Sequence, residues 1–372
     1  MPGKQPRWSR ADRRYMEMAF EEARQVKGKT LPNPPVGAVL VRAGRVVGKG
    51  GTRRAGEAHA EIVALEQAGK KARGSTLYVT LEPCNHHGRT PPCAEALIAA
   101  GVRRVIAAVR DPNPLAGGGL RRLRRAGVEA GDGLMAEEAA GFYADFFFFL
   151  ARGRPRIHLK IAQSLDGRIN ARPGERTPIT GAATKAWVHG LRSRVDAVVI
   201  GGGTLRCDNP DLTPRIVSKV SGSRMPNPEV VVLSRKGPFP DHLRVLSRRR
   251  RAQTVVLSES APGLPPWVIH EPLVDGGGRR RDRGKAALKA LLELFRKRGY
   301  HSVLVEGGRD LWALFLNNGV WDSLSIVTAP KLLPEGERWD AALDRGWGSP
   351  LKFHKFAFFE DDFMVEFGNS DS

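Results

Sequence analysis

The hydrophobic pattern of the first 150 residues switches repeatedly between the period of a helix and that of a strand. Apolar residues recur at helical spacing, or gather in short β-branched and aliphatic runs that end at turn residues. In chain order, this pattern predicts a helix over 10–26, strands over 36–42 and 45–49, a helix after His59, a strand over 76–81, a helix over 93–100, a strand over 102–109, and a short helix and strand after the glycines at 117–119. Such alternation predicts a three-layer α/β sandwich.

The second half begins near Pro155 and has strands that lead directly into glycine turns. The predicted strands cover 157–162, 197–200 and 302–306; Gly201-Gly202-Gly203-Thr204 follows the second, and Gly307-Gly308 and a helix over 311–317 follow the third. A strand, a glycine turn and a helix N-terminus together favour anion binding, because free backbone N–H groups point at the ligand. Since the G-x-G-x-x-G spacing of Rossmann sites is absent, the pattern alone leaves dinucleotide binding open.

Length and composition limit the possible number of domains and the possible cellular compartment. A chain of 372 residues exceeds one comfortable hydrophobic core, which predicts two domains, over 1–150 and 151–372. Runs of eighteen apolar residues are absent, so no membrane span is expected, and the short apolar stretch 146–150 is interpreted as a core anchor at the domain junction. Three cysteines exclude an internal disulfide framework and favour the cytoplasm.

The net charge of +21 raises the question of nucleic-acid binding. The arginines form scattered knots at 121–125, 248–251 and 279–283, and aromatic residues do not interleave with them as a single-strand stacking platform requires. Solvated surface loops are therefore the favoured interpretation, and nucleic acid is not the expected partner. A basic surface that attracts a phosphorylated substrate and a dinucleotide is compatible with both interpretations.

Candidate chemistry centres on His59-Ala60-Glu61, followed by Cys84 and Cys93. One imidazole and two thiols match a catalytic zinc site, which takes three protein ligands and leaves a fourth position for water. Zinc lowers the pKa of that water, and Glu61, which is not required as a ligand, is placed to transfer its proton. This combination is used by hydrolytic nucleobase deaminases to replace an amino group. The first prediction is therefore a zinc aminohydrolase.

Local structure supports the same site. The strand over 76–81 leads to Cys84, while Pro91-Pro92 opens the helix of Cys93 with a proline in the first turn, where its missing N–H has no cost. His59 also stands at the start of a helical pattern. Ligands at helix N-termini lie in a positive field, which favours a thiolate over a thiol.

Eight residues separate the two cysteines, and the stretch TLEPCNHHGRTPPC, together with PNPPVG at 32–37 and DPNP at 111–114, resembles the bifunctional riboflavin-biosynthesis deaminase/reductase family. The resemblance implies a cytidine-deaminase-like fold in which His59, Cys84 and Cys93 hold zinc and Glu61 is the proton shuttle. It also implies that Asn33 binds the pyrimidine. His86 and Arg89 are candidates for the polar or phosphate end of the substrate, or merely brace the loop.

The second half is similar to the reductase domain of the same family, in the same order, at 160–168, 202–215, 305–308 and 329–333. The resemblance implies a dihydrofolate-reductase-like fold that uses NADPH to reduce the ribosyl group of the deaminated pyrimidine. It assigns two sets of residues. The expected cofactor-binding residues are Ala162, Thr204, Asp208, Gly307 and Gly308; the expected substrate-binding residues are Arg176, Arg192, Leu212, Arg215 and Glu306. Asp208 alternatively serves as a turn aspartate before Asn209-Pro210.

Departures from the family pattern leave alternatives open. Where family members have Gly-Glu-Ser-x-Trp-Ile-Thr, the chain reads GERTPIT over 174–180, so Arg176 replaces a serine and Pro178 cannot supply an indole face. The second domain is therefore either an active reductase or an inactive or retuned one. A third interpretation is a nucleic-acid base deaminase that uses the basic surface. The family resemblance further implies a homo-oligomer.

Overall fold

The computed structural model describes residues 8–87, 91–217, 222, 224–240, 242–247, 253–273, 280–344, 348 and 351–369. The chain divides into two compact units: Met1–Ala151 with Val217–Pro226, and Arg152–Ile216 with Asn227–Ser372. The predicted site residue Arg89 lies outside the described residues, as do the arginines at 248–251 and 279.

The first unit contains one five-stranded sheet and its helices. Its elements are α1 Arg10–Val26, β1 Gly37–Arg42, β2 Arg45–Gly51, α2 Ala60–Ala68, β3 Thr76–Val79, α3 Cys93–Ala99, β4 Arg104–Ala107, α4 Gly119–Arg125, β5 Glu129–Asp132 and α5 Ala136–Arg152. The strand order is β2-β1-β3-β4-β5. β1 is antiparallel to both neighbours, whereas β3, β4 and β5 run parallel.

Helix α1 has two clear sequence signals, a capping box at its N-terminus and an apolar stripe along one face. Ser9 Oγ accepts a hydrogen bond from the Asp12 backbone N–H at 3.1 Å, and Asp12 Oδ2 accepts one from the Ser9 N–H at 2.8 Å, which forms a capping box. Met16, Ala19, Phe20 and Ala23 then recur at helical spacing and are fully buried against the sheet.

Glycines in β1 and β2 place helices on both faces of the sheet. A methyl group on Gly48 or Gly50 would collide with Ala64 and Val63 of α2, whereas one on Gly51 would collide with Val26 of α1. Because Gly50 and Gly51 are adjacent in a strand, they face opposite sides. Helices α1 and α2 therefore cover opposite faces, and the predicted three-layer sandwich is confirmed.

The second unit contains a nine-stranded sheet. Its elements are β6 Arg156–Ser164, α6 Ala182–Arg192, β7 Ala197–Gly201, α7 Gly202–Asp208, β8 Glu229–Leu233, β9 Thr254–Ser258, β10 Ile269–Pro272, α8 Arg280–Arg298, β11 Ser302–Val305, α9 Arg309–Leu316, β12 Ser323–Ala329, β13 Leu351–Phe359 and β14 Asp362–Asn369. The strand order is β10-β9-β8-β7-β11-β6-β12-β14-β13. The strands from β10 to β12 pair in parallel, and the β13–β14 hairpin closes the sheet in antiparallel pairing.

The structure refines several sequence predictions. Pro92 is the N-cap of α3 and precedes its first turn, so the prediction of a proline within that turn is wrong by one position. The apolar stretch 146–150 belongs to the last turns of α5, where Phe146 is buried. No helix in the described ranges is both long enough and apolar enough to span a bilayer.

We expect Gly37→Ala to destabilise the first unit by at least about 2 kcal/mol, because the added methyl would lie 1.8 Å from the Ala19 carbonyl oxygen and 2.6 Å from the Ala23 nitrogen of α1. Urea unfolding measures the change in free energy. Gly141→Ala is the matched control: Gly141 is exposed in α5, a methyl there meets no atom within 4 Å, and alanine favours the helix. A Gly37→Ala protein as stable as wild type would contradict the close contact.

Candidate functional site

In the first unit, chain segments that carry the predicted site residues converge at one end of the sheet. The start of β1 is paired with the end of β2, at Gly37 and Gly51, and the following residue, Ala38, is paired with Val79 at the end of β3. β4 runs parallel to β3 and ends beside it. The segments that precede β1 and follow β2, β3 and β4 therefore meet here, and they contain Asn33, His59, Cys84 and Asp111.

His59, Cys84 and Cys93 form a compact cluster at this end. The Nδ1 atom of His59 lies 3.5 Å from Cys84 Sγ and 3.4 Å from Cys93 Sγ, and the three atoms all lie within 4.8 Å of one another. His59 is the N-cap of α2 and Cys93 is the first residue of α3, so both are held at helix starts. One imidazole nitrogen and two sulfurs are the donor set that zinc favours, and the cluster fits that metal.

The electrostatics of the cluster stabilise a thiolate at Cys84. A hydrogen bond from the Cys93 thiol, a second from the Cys93 backbone N–H at 3.3 Å and the imidazole of His59 lower the pKa of Cys84 to about 4, against the effect of burial. The hydrogen bond to Cys84 in turn raises the pKa of His59. Anionic sulfur is the form of cysteine that binds metals.

Glu61 is the second residue of α2, two positions after His59, and its side chain is 3 % exposed. Its carboxyl group interacts electrostatically with Cys84 and His59. Burial, followed by the charge of Cys84, raises the pKa of Glu61 to about 7. A carboxyl group in such surroundings can both take up and release a proton near neutral pH.

Glu82 braces the site and was not among the predicted site residues. Its two carboxylate oxygens accept hydrogen bonds from the backbone of Asp111, at 3.2 Å, and of Leu120, at 2.9 Å. A methyl group on Gly119 would lie 1.9 Å from the Pro83 carbonyl oxygen, so α4 begins directly against the turn that carries Cys84. An acidic residue at the end of an apolar strand was the available sequence signal.

The predicted substrate residues of this unit lie around the cluster with different exposures. Asn33 is half-buried, and its backbone N–H and carbonyl both hydrogen-bond with Thr30, at 2.9 and 2.8 Å. His86 is exposed after Cys84, and its charge interacts with that of Asp111.

The second unit has a cleft of about 1370 Å³ at the carboxyl ends of its parallel strands. Open parallel sheets bind ligands at this edge. The structure brings eight of the predicted residues into the lining of the cleft: Ala162, Arg192, Thr204, Asp208, Leu212, Glu306, Gly307 and Gly308. Arg176 is exposed, and its charge attracts that of Asp208. Arg215 is also exposed, and its guanidinium lies 4.0 Å from the carboxylate of Asp211. Neither arginine is part of the lining.

A charged cluster forms the floor of this cleft. The guanidinium of Arg192, on α6, makes two hydrogen bonds to Glu306, of 2.6 and 2.8 Å. Burial would raise the pKa of Glu306, but Arg192 and Lys160 lower it below its ordinary value. Burial lowers the pKa of Lys160, with partial compensation by Glu306.

Lys160 and Ser234 line the cleft but were missed by the sequence prediction. Lys160 lies in the middle of β6 between the buried residues Leu159 and Ile161, and a charge at that point of a strand was the signal for a site. Ser234 follows β8, where no element had been predicted; its hydroxyl lies 3.3 Å from Arg206 Nη1. Asp208 ends α7, and the pKa of its carboxyl is raised by burial.

Comparisons with known proteins agree with both units. The family model "Cytidine and deoxycytidylate deaminase zinc-binding region" matches residues 9–109, and the model "RibD C-terminal domain" matches residues 155–339. The riboflavin biosynthesis protein RibD of Aquifex aeolicus is 39% identical over 330 residues, which is 87% of this chain and 88% of that protein. RibD of Escherichia coli is 38% identical over 336 residues, 88% and 90% of the two chains.

Solved structures give the same result. Acinetobacter baumannii RibD (form 1) superposes with a TM-score of 0.74 at 33% identity, over 97% of this chain and 99% of that chain. A diaminohydroxyphosphoribosylaminopyrimidine deaminase/5-amino-6-(5-phosphoribosylamino)uracil reductase from Thermotoga maritima superposes with a TM-score of 0.74 at 34% identity, over 96% and 99%. The expected fold class, a cytidine-deaminase-like domain joined to a dihydrofolate-reductase-like domain, is confirmed. The first is a zinc-binding deaminase domain and the second a reductase domain of the NADPH-dependent type. The chain belongs to the RibD family of bifunctional riboflavin-biosynthesis deaminase/reductases.

Proposed function

We propose that the chain deaminates 2,5-diamino-6-ribosylamino-4(3H)-pyrimidinone 5′-phosphate and then reduces the product to 5-amino-6-ribitylamino-uracil 5′-phosphate. Residues 1–150 carry the deaminase and residues 151–372 the reductase. The observation that carries the proposal is the cluster of His59, Cys84 and Cys93 within 4.8 Å, with the buried carboxyl group of Glu61 two residues after His59.

In the deaminase, His59 Nδ1 and the sulfurs of Cys84 and Cys93 hold zinc. When bound, zinc supplies a hydrolytic nucleophile by lowering the pKa of water. Glu61 takes up a proton and delivers it to the amino group that leaves as ammonia. Asn33 orients the pyrimidine by hydrogen bonding, and His86 and Arg89 bind the phosphate end of the substrate.

In the reductase, NADPH would supply the hydride that reduces C1′ of the ring-opened sugar, and the protein's part is to hold cofactor and substrate in the cleft. The residues with which this chain holds the cofactor are Ala162, Thr204, Asp208, Gly307 and Gly308. Arg192 and Glu306 hold each other in place at the substrate end of the cleft, with Leu212 nearby in the lining. Arg176 and Arg215, exposed near the cleft, attract the substrate phosphate.

Nucleic acid is not the proposed substrate. The basic helix α4 is partly neutralised: Arg122 lies 2.8 Å from Glu95 and Arg124 lies 3.7 Å from Asp132. Deamination of an oligonucleotide, with binding that weakens steeply as salt rises, would favour a base deaminase instead.

The enzyme is proposed to work in the cytoplasm, because Cys84 and Cys93 must remain reduced thiols to bind metal. Cell fractionation checks this location, and deaminase activity confined to a membrane or secreted fraction would contradict it.

We further propose that the protein is a homodimer that forms through β13. This strand is the end of the nine-stranded sheet, and three of its aromatic side chains are strongly exposed: Phe353 (60%), Phe356 (47%) and Phe358 (71%). An exposed edge strand is a template for pairing, and an antiparallel pair of identical strands satisfies twofold symmetry. A second copy of the chain fits both the hydrogen-bonding edge and the apolar side chains.

Glu61→Gln tests the deaminase assignment. We expect zinc to be retained, because Glu61 is not a ligand, while ammonia release from the diaminopyrimidine falls at least about 100-fold with the loss of the proton shuttle. With the previously deaminated substrate, the variant should still oxidise NADPH at the wild-type rate, measured at 340 nm. Glu57→Gln, an exposed glutamate two residues before His59, is the matched control and should leave both activities unchanged.

The wild-type assay separates the alternatives. Ammonia release with matched NADPH oxidation supports both activities. Ammonia release without NADPH oxidation from either substrate would show that the second unit is inactive or retuned, as the proline at 178 allows. Ammonia release by Glu61→Gln at the wild-type rate would remove Glu61 from the mechanism.

Light scattering after size-exclusion chromatography tests the dimer. Wild type should have twice the monomer mass, and Phe353→Lys/Phe358→Lys should have the monomer mass, because charge on an edge strand opposes pairing. Leu115→Lys, which changes a 78 % exposed residue of the first unit, should remain dimeric. A monomeric wild type, or a dimeric double variant, would refute the β13 interface.

A further inference from the structure

Tyr143 is a buried polar residue that the proposed chemistry does not use. It lies on α5, is 1 % exposed, and packs edge-on against Phe142 with ring centroids 5.0 Å apart. Its phenol oxygen lies 2.6 Å from Thr80 Oγ1 and donates a hydrogen bond of 3.0 Å to the Pro35 carbonyl oxygen. Thr80 directly follows β3 and Pro35 lies just before β1, so the phenol is at the end of the sheet where the candidate site lies.

The directions of these hydrogen bonds follow from the partners. The Pro35 carbonyl can only accept, so the Tyr143 hydroxyl donates to it. Thr80 Oγ1 accepts from the Gly37 N–H at 3.0 Å, and its own proton is then directed to the Tyr143 oxygen. The chain of donors runs from Gly37 through Thr80 and Tyr143 to Pro35. It begins and ends on the segment that leads from Asn33 into β1, and every proton has an acceptor.

The sequence of that segment explains why an external donor is needed. Residues 32–35 read Pro-Asn-Pro-Pro, and prolines have no backbone N–H. The segment can therefore be fixed mainly through its carbonyl groups. On its N-terminal side, Thr30 Oγ1 donates to the Asn33 carbonyl at 2.8 Å, and on its C-terminal side the Thr52 N–H donates to the Val36 carbonyl at 2.9 Å. Tyr143 holds the carbonyl between these two points.

We propose that Tyr143 is a positioning residue for pyrimidine recognition: from α5 it fixes the Pro35 carbonyl and, through it, the orientation of Asn33 toward the substrate. The inference rests on the proposed deaminase function. Loss of the phenol hydroxyl leaves the chemical groups at His59, Cys84, Cys93 and Glu61 unchanged and loosens the loop that binds the base.

Tyr143→Phe tests this role. We expect the KM for the diaminopyrimidine ribosyl phosphate to rise about tenfold, the scale of one lost hydrogen bond, while kcat changes less than about threefold and bound zinc is unchanged. Thr80→Val should raise KM in the same direction, and the double variant should be no worse than the more impaired single variant, because the two hydroxyls act in one chain.

Tyr78→Phe is the matched control. Tyr78 is also a buried phenol, 5 % exposed, and donates a hydrogen bond of 2.7 Å to Asp12 on α1. Its loss should lower the unfolding midpoint without changing KM. An unchanged KM in Tyr143→Phe, or an equal rise in Tyr78→Phe, would overturn the positioning role. Wild-type enzyme that releases no ammonia would instead refute the deaminase function itself, so the two failures are distinguishable.

Discussion

Helices of the first unit approach the sheet so closely that a methyl group would not fit at several contacts. On Gly48 it would lie 2.1 Å from the Ala64 carbonyl oxygen of α2, and on Gly119 it would lie 1.9 Å from the Pro83 carbonyl oxygen. Because α2 starts directly after His59 and Pro83 directly precedes Cys84, these backbone contacts fix the positions of two candidate metal ligands. The backbone positions from which the cluster's side chains project are thus set by rigid elements, which a preorganised site requires.

Local signals in the sequence were sufficient for the parts of the fold that local interactions determine. The bounds of α1 follow from a capping box and an apolar stripe, both readable between Ser9 and Val26. Thr80 and Tyr143 could not be found in this way: they are 63 residues apart, and each resembles an ordinary core position until the sheet brings them together. Strands β8, β9 and β10 were also missed, since their partners are defined by the parallel sheet. The exposed positions of Arg176 and Arg215 depend equally on tertiary structure, so motif similarity alone did not place them.

The cleft of the second unit keeps three charges together at its floor. An arginine–carboxylate pair is costly to desolvate and is tolerated where its geometry is good and its hydrogen bonds are made; the two bonds between Arg192 and Glu306 meet that condition. Lys160 adds a second basic side chain beside the same carboxylate. These two basic groups suit an anionic, phosphorylated ligand better than the overall charge of +21 does, because charges at the surface are screened by solvent.

Two buried glutamates show how the surroundings divide the chemistry between the units. Burial and the neighbouring Cys84 raise the pKa of Glu61 to about 7, whereas the guanidinium of Arg192 holds the pKa of Glu306 below its ordinary value despite burial. Pairs of like groups with opposite shifts mark different roles. Glu61 has the surroundings of a group that exchanges a proton, as hydrolytic loss of an amino group requires. Glu306 instead has the surroundings of an anion that keeps its charge, because it is held by the two hydrogen bonds from Arg192.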